Sequence, residues 1–158
     1  MNDLDRKLAE SVLNRLFEGS SVNGLRFFTQ QLLLDGPKDI NQEGFINLSS
    51  EWEILDNEPI EFPEYFKELS EEDEEFEIHK LRGEEVEKIK ILSPYPHLVV
   101  YFKSGKILYM KGEDEQYEPW TAGLTNFGKG SDTWLVVACP GGSLAVWVPE
   151  GWENIEIV

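Results

Sequence analysis

The sequence predicts an α+β domain in which N-terminal helices pack on a mainly antiparallel β-sheet. Apolar residues recur at helical spacing near the N-terminus, the second half breaks into short apolar runs joined by glycine-containing turns, and 158 residues suit one core. With 41% apolar and 12% aromatic residues, burial can offset the ordering cost of folding. The chain divides into a helical part, 1–36, an acidic segment, 51–87, and a β-rich part, 76–158, within one domain spanning 1–158.

The first helix is expected over 3–18. Leu4, Leu8, Val12 and Leu16 form one line, and Ala9, Leu13 and Phe17 the next. Asn2 or Asp3 can cap its free amides, Asp5 and Arg15 suit the two ends of its dipole, and Gly19 can end it in a left-handed conformation. A second helix is expected over 24–34 from the spacing of Leu25, Phe28, Leu32 and Leu33, with Asn23 before it and Asp35-Gly36-Pro37 after it, although Phe27-Phe28-Thr29 also fits a strand. From Phe45 the period becomes two. Ile46, Leu48, Ser50, Trp52 and Ile54 alternate with Asn47, Ser49, Glu51 and Glu53, which describes a strand with one face to water. Pro63 suits the start of a short helix through Tyr65, Phe66 and Leu69, and the run Glu71-Glu72-Asp73-Glu74-Glu75 reads as its fraying end or a mobile loop.

Strands are expected over 76–81 and 86–92. Two more follow, over 98–102 and 106–110, around the hairpin turn Lys103-Ser104-Gly105. After a glycine-punctuated loop, 134–138 and 143–148 flank a second hairpin turn at Cys139-Pro140-Gly141-Gly142. Being apolar on both faces, this last pair belongs inside a covered sheet, with the first helix packed on it through Leu8, Val12 and Leu16.

Leu81-Arg82-Gly83, Val86, Ile89, Leu98, Val100, Phe102, Gly105, Leu108, Gly112, Glu118 and Trp120 form a pattern covering about a quarter of the chain. It resembles the strand pattern of small bacterial domains, some of which are similar to immunity proteins encoded beside secreted toxins. The resemblance implies an inhibitor-like role and carries over no functional residue.

Charge is the most informative property. The net charge of −17 is concentrated: between Glu51 and Glu87 stand 16 acids against Lys67, Lys80 and Arg82, a local balance of −13. Such a region is either a solvated face or a surface for a basic partner. It also disfavours direct binding of nucleic acid, whose phosphates it would repel. No run approaches the roughly 18 apolar residues of a membrane span, and the N-terminus is too charged for a secretory signal. A cytoplasmic chain is expected, consistent with a single cysteine, Cys139.

The candidate chemical residues do not assemble into a motif. Cys139 enters a Pro-Gly-Gly turn where a nucleophile could be presented, but no spacing fixes His79 or His97 beside it, and a packed structural thiol is expected. Two histidines and one cysteine match no zinc pattern, and Glu113-Asp114-Glu115 with Glu118 lacks the alternation and central glycine of a calcium loop. Gly141-Gly142 and Gly128-Lys129-Gly130-Ser131 fit no phosphate-binding fingerprint and read as turns. No metal, cofactor or catalytic group is expected. Trp134 and Trp147 fall inside strands and are assigned to the core, whereas Trp120 and Trp152 sit beside Pro119 and Gly151, where an exposed indole can anchor a partner.

The expected function is that of a non-enzymatic binding protein, an acidic inhibitor of the immunity type that neutralises a basic protein such as a nuclease toxin. An anti-defence protein that imitates the charge of DNA is a variant of the same idea. The expected contact residues are Glu64, Glu68, Glu71, Glu72, Asp73, Glu74, Glu75 and Trp120. The alternative is a small-ligand or enzymatic domain with a pocket between helices and sheet, in which the acidity is solvation alone.

Overall fold

The computed structural model describes residues 1–27, 29–125 and 133–152. Among them are two helices, α1 (Asp3–Phe17) and α2 (Glu71–His79), and ten strands: β1 (Val22–Arg26), β2 (Gln31–Leu34), β3 (Gly44–Leu48), β4 (Trp52–Leu55), β5 (Val86–Ile91), β6 (Leu98–Phe102), β7 (Ile107–Met110), β8 (Trp120–Leu124), β9 (Leu135–Cys139) and β10 (Ser143–Trp147). All pairings are antiparallel, in one sheet ordered β1-β2-β3-β8-β9-β10 and another ordered β4-β7-β6-β5. The α+β class holds, and the N-terminal helix packs on sheet as expected.

The single strand expected from Phe45 onward is broken into β3 and β4, and the break joins the sheets. β3 pairs with β8 while β4 pairs with β7. The intervening backbone is held by Lys111 N–H donating to Glu51 O (2.9 Å) and by Ser50 Oγ donating to Lys111 O (2.5 Å). At the opposite edges, Gly19 N–H donates to Val86 O (2.9 Å), Val86 N–H to Ser20 O (2.8 Å) and Val22 N–H to Glu84 O (2.9 Å), which ties the entry of β1 to that of β5. Hydrogen bonds therefore lead from β1 through β2 and β3, along the chain into β4, through β7, β6 and β5, and back to β1. This circuit covers the entries of the β1 and β5 edges and so limits unwanted pairing there. β8, β9 and β10 extend outward from β3.

α1 packs on β5 and on β8, β9 and β10. Its N-cap is Asn2, whose side chain accepts from Asp5 N–H (2.7 Å), and Gly19 follows the helix with φ 82°. Val12 and Leu16 are buried and Leu8 packs partly buried beside them, joined by Ala9, Leu13 and Phe17, so both apolar lines face inward. The polar line of α1 has a role the periodicity does not announce. Asn14 receives Ile89 N–H (2.7 Å) and donates to Ile89 O (2.8 Å), and Glu10 receives Ile91 N–H (2.7 Å). Four helical residues rise about 6 Å, and two strand residues about 7 Å. Side chains at i and i+4 thus match alternate amides of β5 and cover its edge.

Two stretches depart from their expected structure. Where a second helix is expected over 24–34, the chain instead carries the antiparallel strands β1 and β2. Leu32 and Leu34 are buried opposite Ile46 and Gly44 of β3, and Asn23 Nδ2 donates to Asp35 Oδ1 (2.7 Å) at the base of the pair. Residues 71–79 are helical, although the acidic run was expected to fray and 76–81 to be a strand. Ser70 caps this helix by accepting from Asp73 N–H (3.2 Å), which puts Glu71, Glu72, Asp73 and Glu74 in the first turn, where the helix dipole favours negative charge. Ile78 anchors α2 in the core.

The main core lies between α1 and the sheets, with Trp120, Phe17 and Phe102 among its largest side chains. Gly44 lies against Phe17 so closely that an added Cβ would overlap the ring. A second cluster of Val99, Tyr101, Ile107 and Tyr109 lies on the outer face of the four-stranded sheet, covered by Leu55, Phe62, Phe66 and Leu92. The covering residues 56–70 form a strap without helix or strand, so the short helix expected from Pro63 is absent. Burial on the sheet, with Phe62 and Phe66 on Tyr109 at 4.8 and 5.5 Å between centroids, prevails over local helix propensity.

Three further expectations change. Residues 120–124, read as loop, are strand β8. β9 is interior as expected, but β10 is the sheet's edge and its Trp147 is 48% exposed, not a core residue. Phe28 and the Gly128-Lys129-Gly130-Ser131 turn lie outside the described residues.

Candidate interaction surface

The strap and α2 bring most of the expected contact residues onto one continuous piece of chain. Glu64, Glu68, Glu71, Glu72 and Asp73 are exposed, and Glu74 and Glu75 are partly exposed. None of the seven makes an ion pair among the described residues, although acids elsewhere do so: Asp3 with Arg6 and Lys7, Asp39 with Arg15, Glu51 with Lys111, Glu77 with Lys80, Glu84 with Lys106 and Glu85 with Lys103. Hydrogen bonds from Arg6 and from Arg15 hold the Asp3 and Asp39 carboxyls below the usual carboxylate range. Glu74 accepts from Gln30 Nε2 (2.9 Å), whose Oε1 receives the Trp52 indole N–H (3.1 Å) and so links α2 to β4.

Trp120, the eighth expected contact, does not belong to this surface. It is 0% exposed on β8, and its Nε1–H donates to Pro96 O (2.7 Å). Neighbouring Pro119 suggests a loop, yet the indole finds its single partner inside the core. The sequence did not single out Ile60 (105% exposed) and Tyr65 (87% exposed) on the strap, nor exposed Phe76 on α2. Large apolar side chains thus stand beside unpaired acids on the strap and α2. Trp152 is exposed, as its place beside Gly151 suggests, with Trp134 at 5.4 Å and Arg15 at 5.2 Å from its ring.

The strap also frames a groove of about 380 Å³ lined by Phe62, Glu64, Phe66, His97, Tyr109 and Glu113, among others. Tyr109 is its floor, 4% exposed, and burial pushes its phenol up from the ordinary value. His97 Nδ1 accepts from Gly112 N–H (2.9 Å), so that nitrogen is unprotonated and the imidazole neutral. Farther along the same face, Tyr101 donates to Glu58 Oε1 (3.0 Å), with Lys88 and Lys90 at 4.7 and 5.6 Å from its ring. Burial and then Glu58 push the Tyr101 phenol up to about 12.

Burial holds the His97 pKa below its ordinary 6.5, against the weaker opposing pull of Glu113. The unfolded chain therefore binds a proton below about pH 6.5 that the folded chain refuses. Stability associated with His97 is full above that pH and falls as pH drops toward the lowered folded value. Thermal melts of wild type and His97→Asn, whose amide oxygen can still receive Gly112 N–H, should diverge below pH 6.5 with the wild type losing more. Parallel curves would contradict this.

The remaining chemical candidates have structural roles or no partner chemistry. Cys139 is partly buried, its thiol 3.8 Å from Val137 O. His79 is exposed at the end of α2. Asp114 accepts from Gln116 and Tyr117 N–H groups (2.8 Å each), which lower its pKa and make the acidic loop a self-bonded turn. Among the described residues no three His, Cys, Asp or Glu side chains gather as metal ligands, and no helix is long and apolar enough to cross a membrane. No known family model matches the chain, and neither a curated protein nor a solved structure shows significant similarity to it.

Proposed function

We propose that this chain is a non-enzymatic binding protein whose acidic surface captures a basic protein partner, as an acidic inhibitor of the immunity type would capture a nuclease toxin. The observation that carries the reading is the density of unpaired acids on one continuous piece of chain. The strap and α2 gather Glu64, Glu68, Glu71, Glu72, Asp73, Glu74 and Glu75, none in an ion pair among the described residues, beside exposed Ile60, Tyr65 and Phe76. Unpaired acids raise self-repulsion within the folded state, a cost that a basic partner relieves on binding. A cytoplasmic location, without metal or cofactor, belongs to the same proposal.

The test is capture from a host lysate at low salt on immobilised wild type and on a variant carrying Glu68→Lys, Glu71→Lys, Glu72→Lys and Glu75→Lys. These four acids accept no side-chain hydrogen bond within the described structure, so the variant alters charge with little loss of contact. A basic protein retained by wild type, released by salt and lost from the variant is the expected result. Equal retention on both would contradict the proposal.

A further inference from the structure

We propose that the groove between the strap and the four-stranded sheet receives an arginine side chain of the basic partner. This rests on the reading of the acidic surface above and assigns one part of that surface a specific occupant. Its floor is Tyr109, whose ring is buried while its hydroxyl opens to the groove without a hydrogen-bond partner among the described residues. That hydroxyl reaches solvent through the groove, so a ligand that enters can exchange the water it meets for a direct hydrogen bond.

The rest of the groove restricts what can enter. Phe62 and Phe66 stand 4.8 and 5.5 Å from the Tyr109 ring and His97 stands 5.8 Å from it, so the walls are aromatic. The His97 imidazole is neutral, because its Nδ1 is an acceptor for Gly112 N–H, and adds no positive charge. Glu64 and Glu113 supply negative charge, while the one ammonium in the lining, Lys111, is directed to Glu51 at 3.4 Å. Aromatic faces with carboxylates at the rim suit a cation, and a planar guanidinium can stack on the rings while donating both to a carboxylate and to the Tyr109 hydroxyl. The same sheet face already holds Lys88 and Lys90 against the ring of Tyr101, which shows that cations are accommodated on its tyrosines.

Calorimetric titration of the full chain with hexa-arginine and hexa-lysine peptides at low salt tests the assignment. Hexa-arginine is expected to bind wild type about fivefold or more tightly than hexa-lysine, since only the guanidinium stacks and forks. Tyr109→Phe should weaken hexa-arginine about tenfold, the loss expected for a hydrogen bond to a charged group, while leaving the melting temperature unchanged or higher because the hydroxyl has no partner in the free protein. Glu64→Gln with Glu113→Gln should weaken it by a similar factor. Hexa-arginine binding that falls with salt but ignores all three substitutions would overturn the groove and leave the acidic-surface reading intact. Equal binding of the two peptides would overturn the arginine assignment. Failure of both peptides to bind at low salt would overturn the groove and the acidic-surface reading together.

Discussion

Trp120→Ala is expected to lower the free energy of unfolding by about 3–5 kcal/mol, the range for deleting a large buried aromatic side chain. The indole is wholly inside the core on β8, which joins β3 to β9, so its removal leaves a void between both neighbours. Pro96 O also loses the donor that reaches it at 2.7 Å. Against a typical domain stability of about 5–15 kcal/mol, the variant stands near the limit of folding. Trp120→Phe keeps most of the volume and isolates the lost hydrogen bond, for which about 1–3 kcal/mol is expected if the carbonyl stays dry. Urea unfolding should show both as lower midpoints with little change in slope. A loss below about 1 kcal/mol for the alanine variant would be a surface effect and would return Trp120 to the role of exposed anchor.

The second large effect concerns association. Glu68→Lys, Glu71→Lys, Glu72→Lys and Glu75→Lys change the charge by two units at each of four positions, from −17 to −9 overall. Association with the basic partner should slow by roughly ten- to hundredfold at low salt, within the range that focused charge contributes to encounter rates. Dissociation should change far less, because charges at the rim act mainly before contact. Stability is set by two opposing terms. Reversal relieves self-repulsion, while lysines at positions 71 and 72 oppose the dipole of α2 at a cost of about 0.3–1 kcal/mol each. The melting temperature should therefore shift by only a few degrees, at roughly 2–4 °C per kcal/mol for a chain of this size.

Elements whose stability is local were legible in the sequence, and those decided by distant partners were not. α1 has its cap, its dipole charges and its glycine terminator within its own segment and forms as expected. The β6–β7 and β9–β10 hairpins follow from short turns between apolar runs. By contrast, Leu25, Leu32 and Leu33 match a helical face, but the ladder to Ile46 and Gly44 in β3 selects strands, and strand preference is largely such context. The acidic run reads as a fraying helix end or a mobile loop and is instead the start of a helix, an exception to that division because the Ser70 cap that decides it is local.

The candidate surface divides in the same way. Its charge could be counted along the chain, whereas Trp120 was misplaced because a short strand containing glycine looks like a loop. The strap was not legible at all. Phe62 and Phe66 turn inward while Glu64 and Tyr65 turn outward without a regular period, since the sheet beneath supplies the order.

The central claim is that the acidic strap and α2 drive capture of a basic partner, and stopped-flow association of the captured protein with wild type and the four-lysine variant tests it most directly. Rates are to be measured from low salt to 1 M, over which the screening length shortens from about 10 Å at 0.1 M to about 3 Å. The account predicts that wild-type association falls steeply with salt and converges on the slow, nearly salt-independent rate of the variant. Rates that ignore both salt and charge reversal would contradict it and reduce the acidic region to a solvated face.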